Sequence, residues 1–389
     1  MKSNNRFYWF MPLCFAGAVA QAEPLEIHGF VAQGIAQAAK SNAINNEGDV
    51  SLALTELGLN AKLDLYPRLK LSGQVVYLNG GNRYPEGARL DYLFLDFSAI
   101  DNFDHQLNVF LGRYKNQHWL FSSTRDVPFT RPSIILPQSV YYDAFRDIAV
   151  ASDGLALKGY KQLGQGELEY NWSIGSTKIT TDQARTLLSP DIQGSSEQKY
   201  VHQASMFWQG IGSQASYGIS LLDSQFSYKQ ANFDFFADGD VTVQRVILNW
   251  RYQAEKWDLS SELFQERMTI DGFYAPGFER AQIGIGGYLL GRYRFDPKLT
   301  ALISVDMLAL NKDDKRGSQL GQLGIPSYFG YQHSLMLGAS YELGSRFRLQ
   351  AEHHWVDGTG RLSPSLVPDL ERNQHRYWQV WALQLMYWF

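Results

Sequence analysis

From Leu25 onward, apolar residues recur at every second position in runs of roughly 10 to 14 residues. In 166–175, Leu168, Tyr170, Trp172 and Ile174 share one face, and Glu167, Glu169, Asn171 and Ser173 the other. In 299–310, Ala301, Ile303, Val305 and Met307 oppose Thr300, Leu302, Ser304 and Asp306, the wetter face. In 346–355, Phe347, Leu349 and Ala351 oppose Arg346, Arg348, Gln350 and Glu352. A period of two is the signature of strands, and runs of this length suit a tilted membrane-crossing strand better than the ~5–6 residues usual in soluble domains. The pattern predicts about sixteen strands, at 25–38, 50–65, 68–78, 89–99, 105–115, 153–162, 166–177, 200–210, 214–226, 241–252, 256–268, 280–294, 298–310, 332–343, 346–356 and 376–389. No convincing helix emerges.

A soluble β-sandwich would alternate as well, so the links decide. Tyr66-Pro67, 100–104, 163–165, 211–213, 253–255, Asp296-Pro297 and Gly344-Ser345 are short; 39–49, 79–88, 116–152, 179–199, 227–240, 269–279, 311–331 and 357–375 are long. Strict alternation of short and long is what a meandering antiparallel barrel produces, with turns on one rim and loops on the other. In hydrocarbon, an unpaired backbone group costs several kcal/mol, so a sheet there must close on itself. The fold class is therefore all-β, a closed antiparallel transmembrane barrel, and at about sixteen strands its side chains no longer fill the interior.

Composition and the first residues fit this picture. Residues 1–22 carry Lys2 and Arg6, an apolar stretch too short to span a bilayer, and the small-residue end Ala20-Gln21-Ala22, which reads as a cleaved secretory signal. Residues 23–389 then form one barrel domain. The single cysteine, Cys14, lies in the signal, so the mature chain offers no disulfide and no thiolate ligand. Without the signal, 33 basic residues face 39 acidic ones, a net charge of −6 that argues against nucleic acid as a partner.

The last strand is the most specific motif. Trp381, Leu383, Leu385, Tyr387 and Phe389 share one face and end in an aromatic terminus, which resembles the C-terminal signature of outer-membrane proteins handled by the barrel-assembly machinery. The segment Ile27-His28-Gly29-Phe30-Val31-Ala32-Gln33-Gly34 looks like the first strand of general porins. Together they give a resemblance to the sixteen-stranded porin family of the Gram-negative outer membrane, covering the mature chain in architecture. It implies an aqueous channel in outer-membrane lipid, a homotrimer, passive diffusion of small hydrophilic solutes and ions, and no cofactor.

The longest link, 116–152, follows the fifth strand, where the porin family places the loop that folds inward and narrows the barrel. Its Trp119, Phe121, Phe129, Ile134, Ile135, Leu136, Tyr141, Tyr142 and Phe145, with Pro128, Pro132 and Pro137, suit packing against a wall, although an external flap is the alternative. It carries Arg125, Asp126, Arg131, Asp143, Arg146 and Asp147, and Arg113, Lys115 and Asp153 stand at the neighbouring strand ends. The resemblance makes these charges constriction candidates, with Arg245, Arg280, Arg292, Arg294, Arg346 and Arg348 on the opposing wall. Arg113 shares the phase of Leu107, Val109 and Leu111, so it points outward unless the strand bends or the residue lies near a rim. An anion- or phosphate-selective porin is a variant of this reading.

Other classes find less support. His353 and His354 are adjacent, so on a strand they face opposite ways and cannot share a metal ion. His333, Ser334 and Asp357 form no recognisable nucleophile-base pair, which leaves a barrel lipase or protease as the alternative from another class, and a barrel with adhesive loops as a third.

Overall fold

A computed structural model of the chain describes residues 25–46, 48–362 and 375–389, apart from the side chains of Asp147 and Leu187. Residues 1–22, read from the sequence as a secretory signal, lie outside the described residues. Sixteen strands run in order: β1 (Glu26–Ala39), β2 (Thr55–Tyr66), β3 (Leu69–Asn79), β4 (Gly87–Asp101), β5 (His105–Lys115), β6 (Ala151–Leu163), β7 (Gly166–Ser176) and β8 (Ser195–Gly210). They continue with β9 (Ala215–Lys229), β10 (Gly239–Gln253), β11 (Trp257–Gly272), β12 (Glu279–Arg294), β13 (Leu299–Ala309), β14 (Tyr331–Glu342), β15 (Phe347–Gly358) and β16 (Tyr377–Trp388). Each pairs antiparallel with its sequence neighbours, and β1 pairs with β16 from Phe30↔Trp388 to Ala39↔Gln379, which closes the barrel. Among the described residues, no strand lacks a neighbour on either side.

The predicted faces are the observed ones. On β13, Ile303, Val305 and Met307 are about half exposed on the outer surface, whereas Leu302, Ser304, Asp306 and Leu308 are buried inside. On β16, Leu385 is exposed outward, and Val380, Ala382, Gln384 and Met386 are buried inward. Phe389 completes the seam: its N–H donates to the Gly29 carbonyl at 3.0 Å and its carbonyl accepts from the Gly29 N–H at 3.1 Å. Its ring lies over Gly29, the place where a side chain would collide.

The turns on one rim span two to four residues and the links on the other six to thirty-five. Two expectations need correction. First, β8 to β11 extend further toward the long-loop rim than the alternation suggested, because their outward positions there are polar: Gln225, Ser227, Thr242, Thr269 and Asp271. A bulge at Lys199 also breaks the phase of β8. Second, short helices do exist in the long links: α1 (Arg146–Ala149), α2 (Thr181–Leu187) and α3 (Ser318–Gln322). At α2 a capping box forms, with Gln183 N–H donating to Thr180 Oγ1 at 3.3 Å and the Thr180 N–H donating to Gln183 Oε1 at 2.8 Å.

Candidate functional site

Residues 116–150 leave the wall after β5, and the base of this segment is tied by the Asn116 N–H donating to the Val150 carbonyl at 2.9 Å. From there it crosses the interior. A chain inside a barrel must find partners for its peptide groups, and here inward-facing carboxylates on the far wall supply them. Glu352 on β15 accepts the N–H groups of Ile134 at 2.8 Å and Ile135 at 2.7 Å. Glu262 on β11 accepts the Leu120 N–H at 3.1 Å and the hydroxyls of Tyr141 and Tyr288. Asp306 on β13 accepts the Ser139 N–H at 3.1 Å. Carbonyls are met in turn: Arg348 donates to Phe129 at 2.7 Å and Gln350 to Pro132 at 3.3 Å.

Apolar contacts run along the same path. Trp119, Phe121, Leu136, Val140 and Tyr141 pack against Ile247, Phe264, Leu290, Leu302, Leu308 and Met336 of the inner wall. Ile134 and Ile135 pack against Ala32, Ala36, Leu54, Val380 and Met386 near the seam. Phe129 stacks on Trp388 with ring centroids 4.8 Å apart. These inward apolar residues would face water in an empty barrel, so their burial under the segment favours the docked position by the hydrophobic effect.

The charged candidates of the segment come together, but they face one another and not open water. Arg125 donates to Asp143 at 2.8 Å and to the Tyr141 carbonyl at 2.7 Å, and Arg83, from the link after β3, reaches the other oxygen of Asp143 at 2.7 Å. Arg146 and Lys115 both hold Asp126. Lys115 also reaches Asp91, which a bulge in β4 adds to the inner face and which Gln74 contacts at 2.7 Å. Arg131 pairs with Glu56 on β2 at 2.8 Å. Burial alone would push the Asp126 carboxyl up, yet Arg146 and Lys115 outweigh it and hold it well below the usual carboxylate range. Arg83 and Arg125 likewise overcome burial and lower Asp143. The segment is thus pinned by three ionic clusters as well as by carboxylate-peptide bonds. The side chain of Asp147 lies outside the described residues.

Arg113 belongs to none of these clusters, although it lines the ≈ 310 Å³ cavity on the long-loop side together with Asp126 and Arg146. It keeps the outward phase of Leu111, sits two residues from the end of β5, and pairs with Asp153 at 3.0 Å directly opposite on β6. The wall arginines do not form one ladder, because a shared phase fixes the face and leaves the height open. Arg245 is paired with Glu266 beneath the segment, with its guanidinium 5.5 Å from the Trp119 ring centroid. Arg348 pairs with Glu342. Arg292 joins Arg251 around Asp258 in the short-turn half. Arg294 and Arg346 are exposed at the short-turn rim, and Arg280 is exposed at the long-loop rim. His354 faces inward against Glu352 at 2.9 Å, and His353 faces outward against Gln379 at 3.2 Å. Among the described residues, no group of three or more His, Cys, Asp or Glu could hold a metal ion.

The acceptors Glu56, Glu262, Asp306 and Glu352 went unrecognised from the sequence as a set. Their signal was there: each is an acid on an inner face, and on β10 to β14 that face also carries Ile247, Phe264, Leu290, Leu302, Leu308 and Met336, which only a covering segment explains. Around that segment, water-sized space remains on both sides. On the short-turn side lies a cavity of ≈ 370 Å³ lined by Gln117, Lys158, Glu167, Glu169 and Arg251 among others. On the long-loop side, cavities of ≈ 310 Å³ and ≈ 330 Å³ are lined in part by Arg89, Asp91 and Lys178 and by Glu266, Arg280 and Asp314.

No protein-family model and no curated protein sequence matches the chain. Solved structures do. Salmonella typhi OmpF in complex with daunomycin superposes with a TM-score of 0.58 at 11% identity, over 94% of this chain and 97% of that one. An anion-selective porin from Comamonas acidovorans gives 0.56 at 13% identity, over 94% and 99%. The trimer form of in-vitro folded OmpT from Vibrio cholerae gives 0.55 at 12% identity, also over 94% and 99%. The chain has the sixteen-stranded porin-type fold.

Proposed function

We propose that this chain is an outer-membrane diffusion channel in which residues 116–150 form the constriction. The observation that carries the reading is the docking of that segment across the lumen onto carboxylates of the far wall, with polar cavities left on either side of it. A barrel of sixteen strands encloses more space than its wall side chains fill, so an inward segment sets the size of what passes. The solutes are small, hydrophilic and taken down their gradients without a cofactor.

In the same reading the chain is exported with cleavage of 1–22, is delivered through the C-terminal face of Trp381 to Phe389 to the barrel-assembly machinery, and works as a homotrimer in outer-membrane lipid. The cavities carry both signs, Lys158 and Arg251 beside Glu167 and Glu169 on one side and Arg89 beside Asp91 on the other, so ion preference is weak. Because Arg125, Arg131 and Arg146 are paired and buried, their part is to hold the constriction in place. Planar-bilayer recording of the purified protein tests the proposal. Stepwise conductance supports it, and a silent membrane with hydrolysis of phospholipid or peptide would replace it with a barrel enzyme.

A further inference from the structure

One cavity beside the segment is chemically unlike the others. It lies on the long-loop side of Val140, has a volume of ≈ 120 Å³, and is walled by Trp119, Tyr142, Phe145, Leu222, Phe226 and Met268. Three polar side chains on its lining keep unused hydrogen-bonding capacity. Gln203 is 2% exposed, yet neither atom of its amide has a partner. Arg125 leaves Nη1 unbonded, and Arg361 leaves Nε unbonded. Arg361 lies over the Tyr142 ring at 4.8 Å and donates to the Ser139 carbonyl at 2.9 Å, but among the described residues no carboxylate pairs with it.

A buried amide without partners is costly in a folded protein, and aromatic walls around it take up an apolar body. The cavity is close in size to one of about 150 Å³ that binds benzene. It adjoins the ≈ 330 Å³ cavity that opens toward the links after β11 and β13, and Glu266, Met268, Leu310 and Arg361 line both. Glu266 is already engaged by Arg245. Among the described residues, Arg361 is therefore the cation at the junction with no carboxylate in ion-pair contact, although the charges of Glu266 and Asp306 act on it from further away.

We infer that this cavity is a subsite for small aromatic carboxylates, with the ring among Trp119, Tyr142, Phe145 and Phe226, the carboxylate on Arg361, and a polar ring substituent on Gln203. The inference deepens the channel reading, on which it rests, by naming one solute class that the outer half of the lumen selects. Guanidinium-carboxylate bonds are charge-assisted and directional, so the subsite distinguishes an aromatic acid from a neutral molecule of the same shape.

Titration calorimetry on the full chain folded in detergent tests it, with benzoate, 4-hydroxybenzoate and benzyl alcohol as probes. Benzoate is expected to bind the unaltered protein at least tenfold more tightly than benzyl alcohol. Arg361→Gln is expected to weaken benzoate tenfold or more, and Gln203→Leu to weaken 4-hydroxybenzoate more than benzoate. Equal binding of benzoate and benzyl alcohol by the unaltered protein overturns the subsite, whatever the variants do, as does unchanged benzoate affinity in a folded Arg361→Gln barrel. Conductance is read on the same preparation. A barrel that conducts potassium chloride and ignores benzoate loses the subsite and keeps the channel; one that binds benzoate and never conducts loses the channel.

Discussion

Removing the Glu352 carboxylate should release the middle of the lumenal segment while leaving the barrel intact. Glu352 accepts two peptide N–H groups, from Ile134 and Ile135, and both residues are buried, so neither donor can turn to water without the segment moving. A hydrogen bond to a charged group contributes ~1.5–3 kcal/mol, which puts the loss in Glu352→Ala at roughly 3–6 kcal/mol for the docking of 134–135. Glu352→Gln keeps one carbonyl acceptor and should lose about half of that. At a factor of ten for each ~1.4 kcal/mol, the locally undocked population rises roughly 10²- to 10⁴-fold in the alanine variant. Hydrogen exchange reads this directly. Protection of the Ile134 and Ile135 amides should fall by that factor, in the order wild type, Gln, Ala, while strand amides of β15 hold theirs. If the two amides exchange within a factor of ten of wild type in Glu352→Ala, the carboxylate is not what holds the segment.

Further outcomes follow from the same geometry. Arg131→Ala and Glu56→Gln each leave one partner of a buried pair uncompensated and should cost about 3–5 kcal/mol, whereas Arg131→Met with Glu56→Leu should cost less than either; denaturant midpoints of the folded barrel measure this. Burial, aided by His202, pushes the His118 imidazole down to about 3 from an ordinary value near 6.5. The native state then binds fewer protons than the unfolded chain between those limits, so stability is full above about 6.5 and falls as pH drops toward 3, by up to ~1.4 kcal/mol per unit. His118→Gln should flatten that slope in unfolding measured across this range. Gly29→Val sets a side chain where the Phe389 ring lies, since even a methyl group would stand 2.4 Å from it; a lower temperature for loss of the compact electrophoretic form is expected, and an unchanged one would mean the ring moves freely.

Strand identity was legible wherever outward positions are apolar, and β5 was read at its observed limits, 105–115. Legibility failed where the outer face turns polar. β8 begins at Ser195, in a Ser-Ser-Glu-Gln-Lys stretch that contains a bulge, and α2 is a short helix whose capping box, Thr180 with Gln183, is its one local mark. At the site, the segment and its charges could be found from length and composition, but their pairing could not. Whether Arg125 meets water or Asp143 depends on how the segment crosses, and that depends on acids as far away as Glu352. Phase told which face Arg294 and Arg346 take and nothing of their height, so the wall arginines that the family resemblance offered for one constriction are spread from rim to rim.

If residues 116–150 set the width of a conducting barrel, removing them must widen it. Single-channel recording in planar bilayers, comparing the unaltered chain with one in which 119–147 is replaced by a short Gly-Ser link, tests this most directly. Discrete steps are expected from the unaltered chain, and steps several-fold larger from the variant. Equal steps from the two, or silence from both folded barrels, would contradict it.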